Sequence, residues 1–130
     1  SVTREIIAQG QYSDGEKNGA WKFKTGDLTE EGKYITGLKD GAWKSFYNNG
    51  KLKFKGNFVQ GNTDGQQVYY YENGKIKEEQ YFDMGIRQKT WKKFSEEGLA
   101  FLVITYKDDS EISINGVKIK LPESETKLIK

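Results

Sequence analysis

Cysteine and histidine are both missing from this chain of 130 residues. Without cysteine no disulfide or thiolate-held metal can form, and the composition carries no mark of a redox compartment. Without histidine the commonest general base and metal ligand is gone. Arginine is nearly missing too, with Arg4 and Arg87 its only instances, so bidentate phosphate contacts have few donors. Neither sign of charge dominates: 21 Lys and Arg face 19 Asp and Glu, for a net +2. That balance does not point to nucleic acid or an anionic membrane. No apolar run approaches the roughly 20 residues of a membrane-spanning helix. Proline occurs once against 15 glycines, which argues for turns inside regular structure rather than a disordered linker. What is plentiful is aromatic: Trp, Tyr and Phe make up 14% of the chain. Few aliphatics with many aromatics suit a thin sheet better than a thick core.

The chain also repeats. Gly10-Gln11-Tyr12, Gly32-Lys33-Tyr34, Gly56-Asn57-Phe58, Gln80-Tyr81-Phe82 and Ile104-Thr105-Tyr106 mark one position in successive units, at steps of 22, 24, 24 and 24 residues. A fixed period of this size signals an array whose units stack on their neighbours, and arrays present extended surfaces. Each unit carries two turn signals. One is a pair of residues four apart: Gly15 and Gly19, Gly37 and Gly41, Gly61 and Gly65, Gly85 and Lys89. The other is a tight x-Gly: Thr25-Gly26, Asn49-Gly50, Asn73-Gly74, Glu97-Gly98. Asn-Gly between β-like runs predicts a two-residue hairpin turn with both residues at positive φ.

Two short strands lie between these turns. One carries Trp21, Trp43, Val68 or Trp91; the other runs through residues 28–34, 52–58, 76–82 or 100–106. Alternation places Leu52, Phe54, Gly56 and Phe58 on one face and Lys51, Lys53, Lys55 and Asn57 on the other. Equivalent positions form the columns Leu28, Leu52, Ile76, Ala100 and Tyr34, Phe58, Phe82, Tyr106. Trp43 and Phe46, like Trp91 and Phe94, are three apart, which breaks alternation and predicts a bulge. The chain opens in mid-unit, as a half-unit cap or a trimmed longer protein would. Residues 99–106 are apolar on both faces, Phe101 and Val103 included. A hairpin over residues 112–119 is expected to cover the second face as a C-terminal cap, with a frayed tail beyond Pro122.

The pattern Gly-x-Tyr, Gly, Gly-x-Trp, Tyr, Asn-Gly, Leu resembles the bacterial variant of the MORN repeat. Gly32-Lys33-Tyr34, Gly37, Gly41-Ala42-Trp43, Tyr47, Asn49-Gly50 and Leu52 carry it. Gly56, Phe58, Gly61, Gly65, Tyr71, Asn73-Gly74 and Ile76 carry it again. The likeness covers roughly residues 5–107 and departs at Gln67, where Trp is expected, and at Gln80 and Lys89, where Gly is expected. It implies an elongated meander of hairpins and transfers no catalytic residues. Chains of this kind often bear a YwqK-type antitoxin label.

Candidate chemistry is thin. Glu30-Glu31 and Glu78-Glu79 face opposite ways in a strand, so neither pair makes a hydrolytic site. The Asp-Gly steps at 14, 40 and 64 lack the alternating carboxylates of a calcium loop, and Asx turns account for them. Lys44, Lys51, Lys53 and Lys55, interleaved with aromatics, read first as a solvated face. The best binding candidates are the aromatic column Trp21, Trp43 and Trp91 with Tyr47 and Tyr71, which serve either as packing ladders or as an exposed contact surface.

The expectation is an all-β, elongated, single-layer antiparallel meander of about four and a half hairpin units. Residues 1–109 form the array and residues 110–130 the capping hairpin and tail. The expected role is non-enzymatic, without cofactor or metal: a monomeric protein-interaction or scaffold module, in its specific form the neutralising partner of a toxin. A cell-envelope carbohydrate-binding module using exposed aromatics is the alternative. A protein partner ranks first, carbohydrate or an anionic lipid surface next and nucleic acid last. The compartment is the bacterial cytoplasm, or the envelope if a leader has been removed.

Overall fold

A computed structural model describes residues 6–115 and 117–118. Glycine about every dozen residues leaves no segment long enough for a stable helix, and strands result. In chain order they are β1 (Ile6–Gln9), β2 (Tyr12–Ser13), β3 (Glu16–Lys17), β4 (Gly19–Thr25) and β5 (Leu28–Ile35). Next come β6 (Leu38–Phe46), β7 (Leu52–Val59), β8 (Asn62–Thr63), β9 (Gly65–Tyr70) and β10 (Ile76–Asp83). The last are β11 (Ile86–Arg87), β12 (Lys89–Phe94), β13 (Ala100–Lys107), β14 (Ser110–Ile114) and β15 (Val117–Lys118). No helix occurs among the described residues.

Thirteen strands form one open antiparallel sheet, in the path β1-β4-β5-β6-β7-β9-β10-β12-β13-β14-β15, with β8 on β7 and β11 on β10. The short β2 and β3 pair only with each other. Apart from these side arms the path follows chain order, so the fold is an elongated single-layer meander. At about 4.8 Å per strand the path extends roughly 50 Å.

Two backbone devices shape each unit. The first is a two-residue turn with both φ angles positive: Thr36 (49°) and Gly37 (80°) between the paired Ile35 and Leu38, and likewise Asp14-Gly15, Gln60-Gly61, Met84-Gly85 and Asp108-Asp109. These are the type I′ turns, which match the strand twist. The Asn-Gly steps are different. Gly50 has φ 84° but Asn49 does not enter the positive region; Gly50 N–H donates to Tyr47 O at 2.9 Å and Tyr47 N–H to Lys51 O at 2.8 Å. That is a three-residue loop with glycine in the bulge position, so the two-residue Asn-Gly expectation is corrected. The third residue is needed because the next strand is bulged.

The second device is the other residue of the four-apart pair. Gly19, Gly41 and Gly65 have φ of 87°, 78° and 80°, and Lys89 sits at 62° in the same place. An L-residue is strained there, which explains why glycine is the rule. The kink swings each I′ arm so that its side chains reach over the tryptophan-bearing face, here the front. Each arm then meets the one before it: Gly37 N–H donates to Lys17 O (2.8 Å), Gly61 to Lys39 O (2.8 Å), Gly85 to Thr63 O (2.7 Å) and Asp109 to Arg87 O (2.9 Å). The turns thereby stack along one long margin.

The expected bulge is present. Register shifts between Ser45 and Phe46, between Ile76 and Glu78, and between Lys93 and Phe94. Lys53, Lys77 and Phe101 are the extra residues. In the first unit Trp21 and Phe23 are two apart and the register is unbroken. One consequence corrects the face assignment. Phe54 pairs with Ser45 while Leu52 pairs with Phe46, so Leu52 leaves the face of Phe54 for the opposite one.

At the C-terminal end β14 pairs along the edge of β13, continuing the array through the Asp108-Asp109 turn. It extends the sheet instead of lying over it, and Phe101 stays 60% exposed. Over the described residues the expected hairpin, β14 with β15, thus fills the edge of β13, whose backbone groups need partners, and does not lie on its face. Gly116, Ile119 and the residues after it, including the Pro122 stop and the tail, lie outside the described residues.

Candidate functional site

The aromatic column is built by the array itself. Each tryptophan lies on the front face over the strand before it. Trp21 Nε1–H donates to Gln11 O at 2.9 Å, Trp43 to Lys33 O at 3.0 Å and Trp91 to Tyr81 O at 3.0 Å, in each case ten residues back. The indole of Trp21 covers Gly10 and that of Trp43 covers Gly32, so closely that a methyl group on either glycine would overlap the ring. Trp21 is 5% exposed and Trp43 1%. Trp91 is half-buried, because Gln80 stands where the others have glycine.

Edge-to-face contacts link the rings into a chain. Tyr12 to Trp21 is 5.1 Å between centroids, Trp21 to Tyr34 6.1 Å, Tyr34 to Trp43 5.1 Å and Trp43 to Phe58 6.4 Å. The chain breaks at Gln67 and resumes with Phe82 to Trp91 (5.0 Å) and Trp91 to Tyr106 (4.9 Å). Cations from the swung arms cover it. Lys17 Nζ is 5.5 Å from the Trp21 ring and 5.4 Å from Tyr34; Lys39 Nζ is 4.5 Å from Trp43; Arg87 is 4.5 Å from Tyr106. These contacts are favourable by ~0.5–1 kcal/mol at exposed sites. Sequence reasoning missed this layer, yet its signal was present. A Lys or Arg stands four residues before every Trp, and Thr63 stands before Gln67, where the ring is missing.

Tyr47 and Tyr71 act as clasps between units. The Tyr47 hydroxyl donates to Tyr70 O at 2.5 Å and the Tyr71 hydroxyl to Phe94 O at 2.6 Å. Burial holds the Tyr47 phenol above its ordinary pKa, with Glu72 adding to the rise. The next equivalent position is Ser95, whose Oγ accepts from Leu99 N–H instead. Tyr47 borders a groove of about 540 Å³ with Thr25, Leu28, Phe46, Lys53 and Glu72.

The structure thus brings Trp21, Trp43 and Trp91 into one column, with Tyr47 and Tyr71 along the Asn-Gly loop margin. Stacking a sugar needs an open ring face, and those of Trp21 and Trp43 are covered. Glu30 pairs with Phe23 and Ser45, Glu31 with Lys22 and Lys44, so the adjacent carboxylates do face opposite ways. The I′ margin is also open. Ile35, Leu38, Met84 and Ile86 flank or form its turns, and their exposures run from 40% at Met84 to 49% at Leu38.

An open antiparallel sheet of stacked hairpins, tied to the preceding strand by an indole in three units and by Gln67 in the other, defines a repeat module. The family model described as the MORN repeat variant matches residues 39–60 and 63–84. Both stretches run from an I′ arm, through the Asn-Gly loop, to the next I′ turn. No curated protein matches the chain in sequence.

Proposed function

We propose that this chain is a non-enzymatic protein-interaction module that engages its partner along the I′ turn margin. The observation that carries the reading is two exposed apolar clusters, Ile35 with Leu38 and Met84 with Ile86, either side of the polar Gln60-Gly61 turn, on turns that hydrogen bonding holds in a line. Exposed apolar side chains clustered among polar ones mark association sites. The MORN-variant matches support it, since that repeat is a module without catalytic residues of its own. Neutralisation of a toxin is the specific form of this reading that the family resemblance suggests.

The test is affinity capture from the source cells with the native chain and with Leu38→Ser/Ile86→Ser, both checked for native circular dichroism. The reading expects a partner that the native chain retains and the variant loses. Retention by the folded variant, or no captured protein with either, contradicts it.

A further inference from the structure

The face opposite the tryptophans, the back, carries an unassigned site. Cross-strand register places Lys22, Glu31, Lys44 and Lys55 in one row over β4, β5, β6 and β7. Lys24 lies on the same face as Lys22, two residues on. All of these side chains are exposed, and Lys22, Lys24, Lys44 and Lys55 form no ion pair among the described residues. Lys44 and Lys55 are direct cross-strand partners, an arrangement of like charges that destabilises a sheet. These four strands are paired on both sides, so the lysines do not serve to block an edge.

The row also borders a trough. Ala20 and Ala42 put only methyl groups on this face, so the sheet surface is low there. Lys22, Glu31 and Lys44 rise beside it around about 560 Å³ of open space. A second hollow of about 270 Å³ continues past Lys22 and Glu31 to Lys24 and Phe46.

We propose that this trough binds an extended acidic peptide segment of a protein partner, lying across the strands. Lys22 and Lys44 are two strands apart, about 10 Å, which a chain in the polyproline II conformation, three residues per turn at about 3.1 Å each, spans in three residues with every third side chain on one side. Acidic side chains at every third position would meet both lysines and pass a neutral residue by Glu31. Glu31 in the middle of the row opposes the continuous negative charge of a lipid surface or nucleic acid. The trough also contains no arginine, the side chain best matched to phosphate. This site lies on a different surface from the I′ margin and does not depend on it.

The test uses a labelled peptide of about twelve residues with aspartate at every third position and serine between, in fluorescence anisotropy at near-physiological salt. Lys22→Gln/Lys44→Gln is compared with Lys92→Gln/Lys107→Gln, which removes the same charge from exposed positions elsewhere. The expected result is at least about tenfold weaker binding for the trough variant and less than about twofold for the control, with an asparagine version of the peptide unbound. Equal losses in both variants, no binding by the native chain, or preferred binding to phosphatidylserine vesicles or a single-stranded oligonucleotide would overturn it. A second measurement needs no ligand: Lys44→Gln should raise the urea midpoint by relieving the Lys44–Lys55 repulsion, and a lower midpoint counts against the site. A peptide that fails to bind, while Leu38→Ser/Ile86→Ser still loses a captured partner, defeats this inference and leaves the turn-margin reading intact.

Discussion

Trp43 and Gln67 occupy the same place in consecutive units, and each is 1% exposed. Both cover a glycine of the preceding strand, Gly32 and Gly56. Both donate to the carbonyl ten residues back, Gln67 Nε2 reaching Asn57 O at 3.1 Å. Here the likeness ends. The indole meets Tyr34 and Phe58 and lies under Lys39, whereas Gln67 Oε1 has no hydrogen-bond partner among the described residues and no cation stands above it. Phe54 leans into the space a ring would fill and contacts Tyr69 at 4.8 Å between centroids. The position therefore requires a donor to the neighbouring strand, and the ring adds apolar area and aromatic contacts. The first half of the sheet is a continuous aromatic ladder. The second is two shorter pieces joined by hydrogen bonds.

The largest expected effect breaks that ladder at its centre. Trp43→Ala should lose about 3–5 kcal/mol in urea unfolding, as buried aromatic truncations do. Gln67→Ala, which removes a hydrogen bond and less area, should lose about 1–2 kcal/mol. Equal losses would show that the ring contributes no more than the donor.

Next is the seat of the ring. Gly32→Ala drives a methyl group into the Trp43 indole and should cost about 1–3 kcal/mol, the range for overpacking. Gln80→Ala, at the equivalent position under the half-buried Trp91, should stay within about 0.5 kcal/mol. A tolerated Gly32→Ala, seen as an unchanged midpoint, would mean that the indole can move aside.

Lys89→Gly sharpens the comparison with a change of opposite sign. Lys89 holds φ 62° where the earlier units use glycine, and relief of that strain is worth about 1 kcal/mol. The substitution also removes the contact of Lys89 Nζ with the Tyr81 ring at 4.1 Å, so a net gain shows that backbone strain outweighs it. A lower thermal midpoint would reverse that ranking.

The smallest effect concerns the last turn. Hydrogen bonds from the Arg87 side chain and backbone hold the Asp109 carboxyl below its ordinary pKa. Arg87 Nε–H donates to Asp109 Oδ1 at 2.7 Å. A depressed carboxylate contributes stability above its unfolded value of about 3.9 and loses it as pH falls through the lower folded value. The gap in midpoint between the native chain and Asp109→Asn should be present at neutral pH and close below about pH 4. A gap independent of pH would assign it to the backbone contacts alone.

The sequence displayed the period, the strands and the bulge because turn chemistry and side-chain alternation are local. It hid which glycines close which turn. Asn-Gly serves either a two-residue or a three-residue loop, and the choice depends on a bulge in the next strand. It also hid the fate of the aromatics. A tryptophan reads the same whether it faces solvent or its neighbour, and the deciding contact, Gly32 beneath Trp43, lies eleven residues away. The cation four residues before each Trp is legible only once the kink at Gly19, Gly41, Gly65 or Lys89 is known. Alternation failed at Leu52 for the same reason, since one extra residue reverses a face.

Hydrogen exchange of the three indole N–H groups, followed by NMR, tests most directly whether the tryptophans are rivets between units. Opening that frees an indole must break its bond to the previous strand, so protection reports each rivet separately. Trp21 and Trp43 should exchange slowly, and Trp91 measurably faster because Gln80 denies it a seat. Exchange of all three at the rate of a free indole would show that the column faces solvent, and the account of the fold given above would fail.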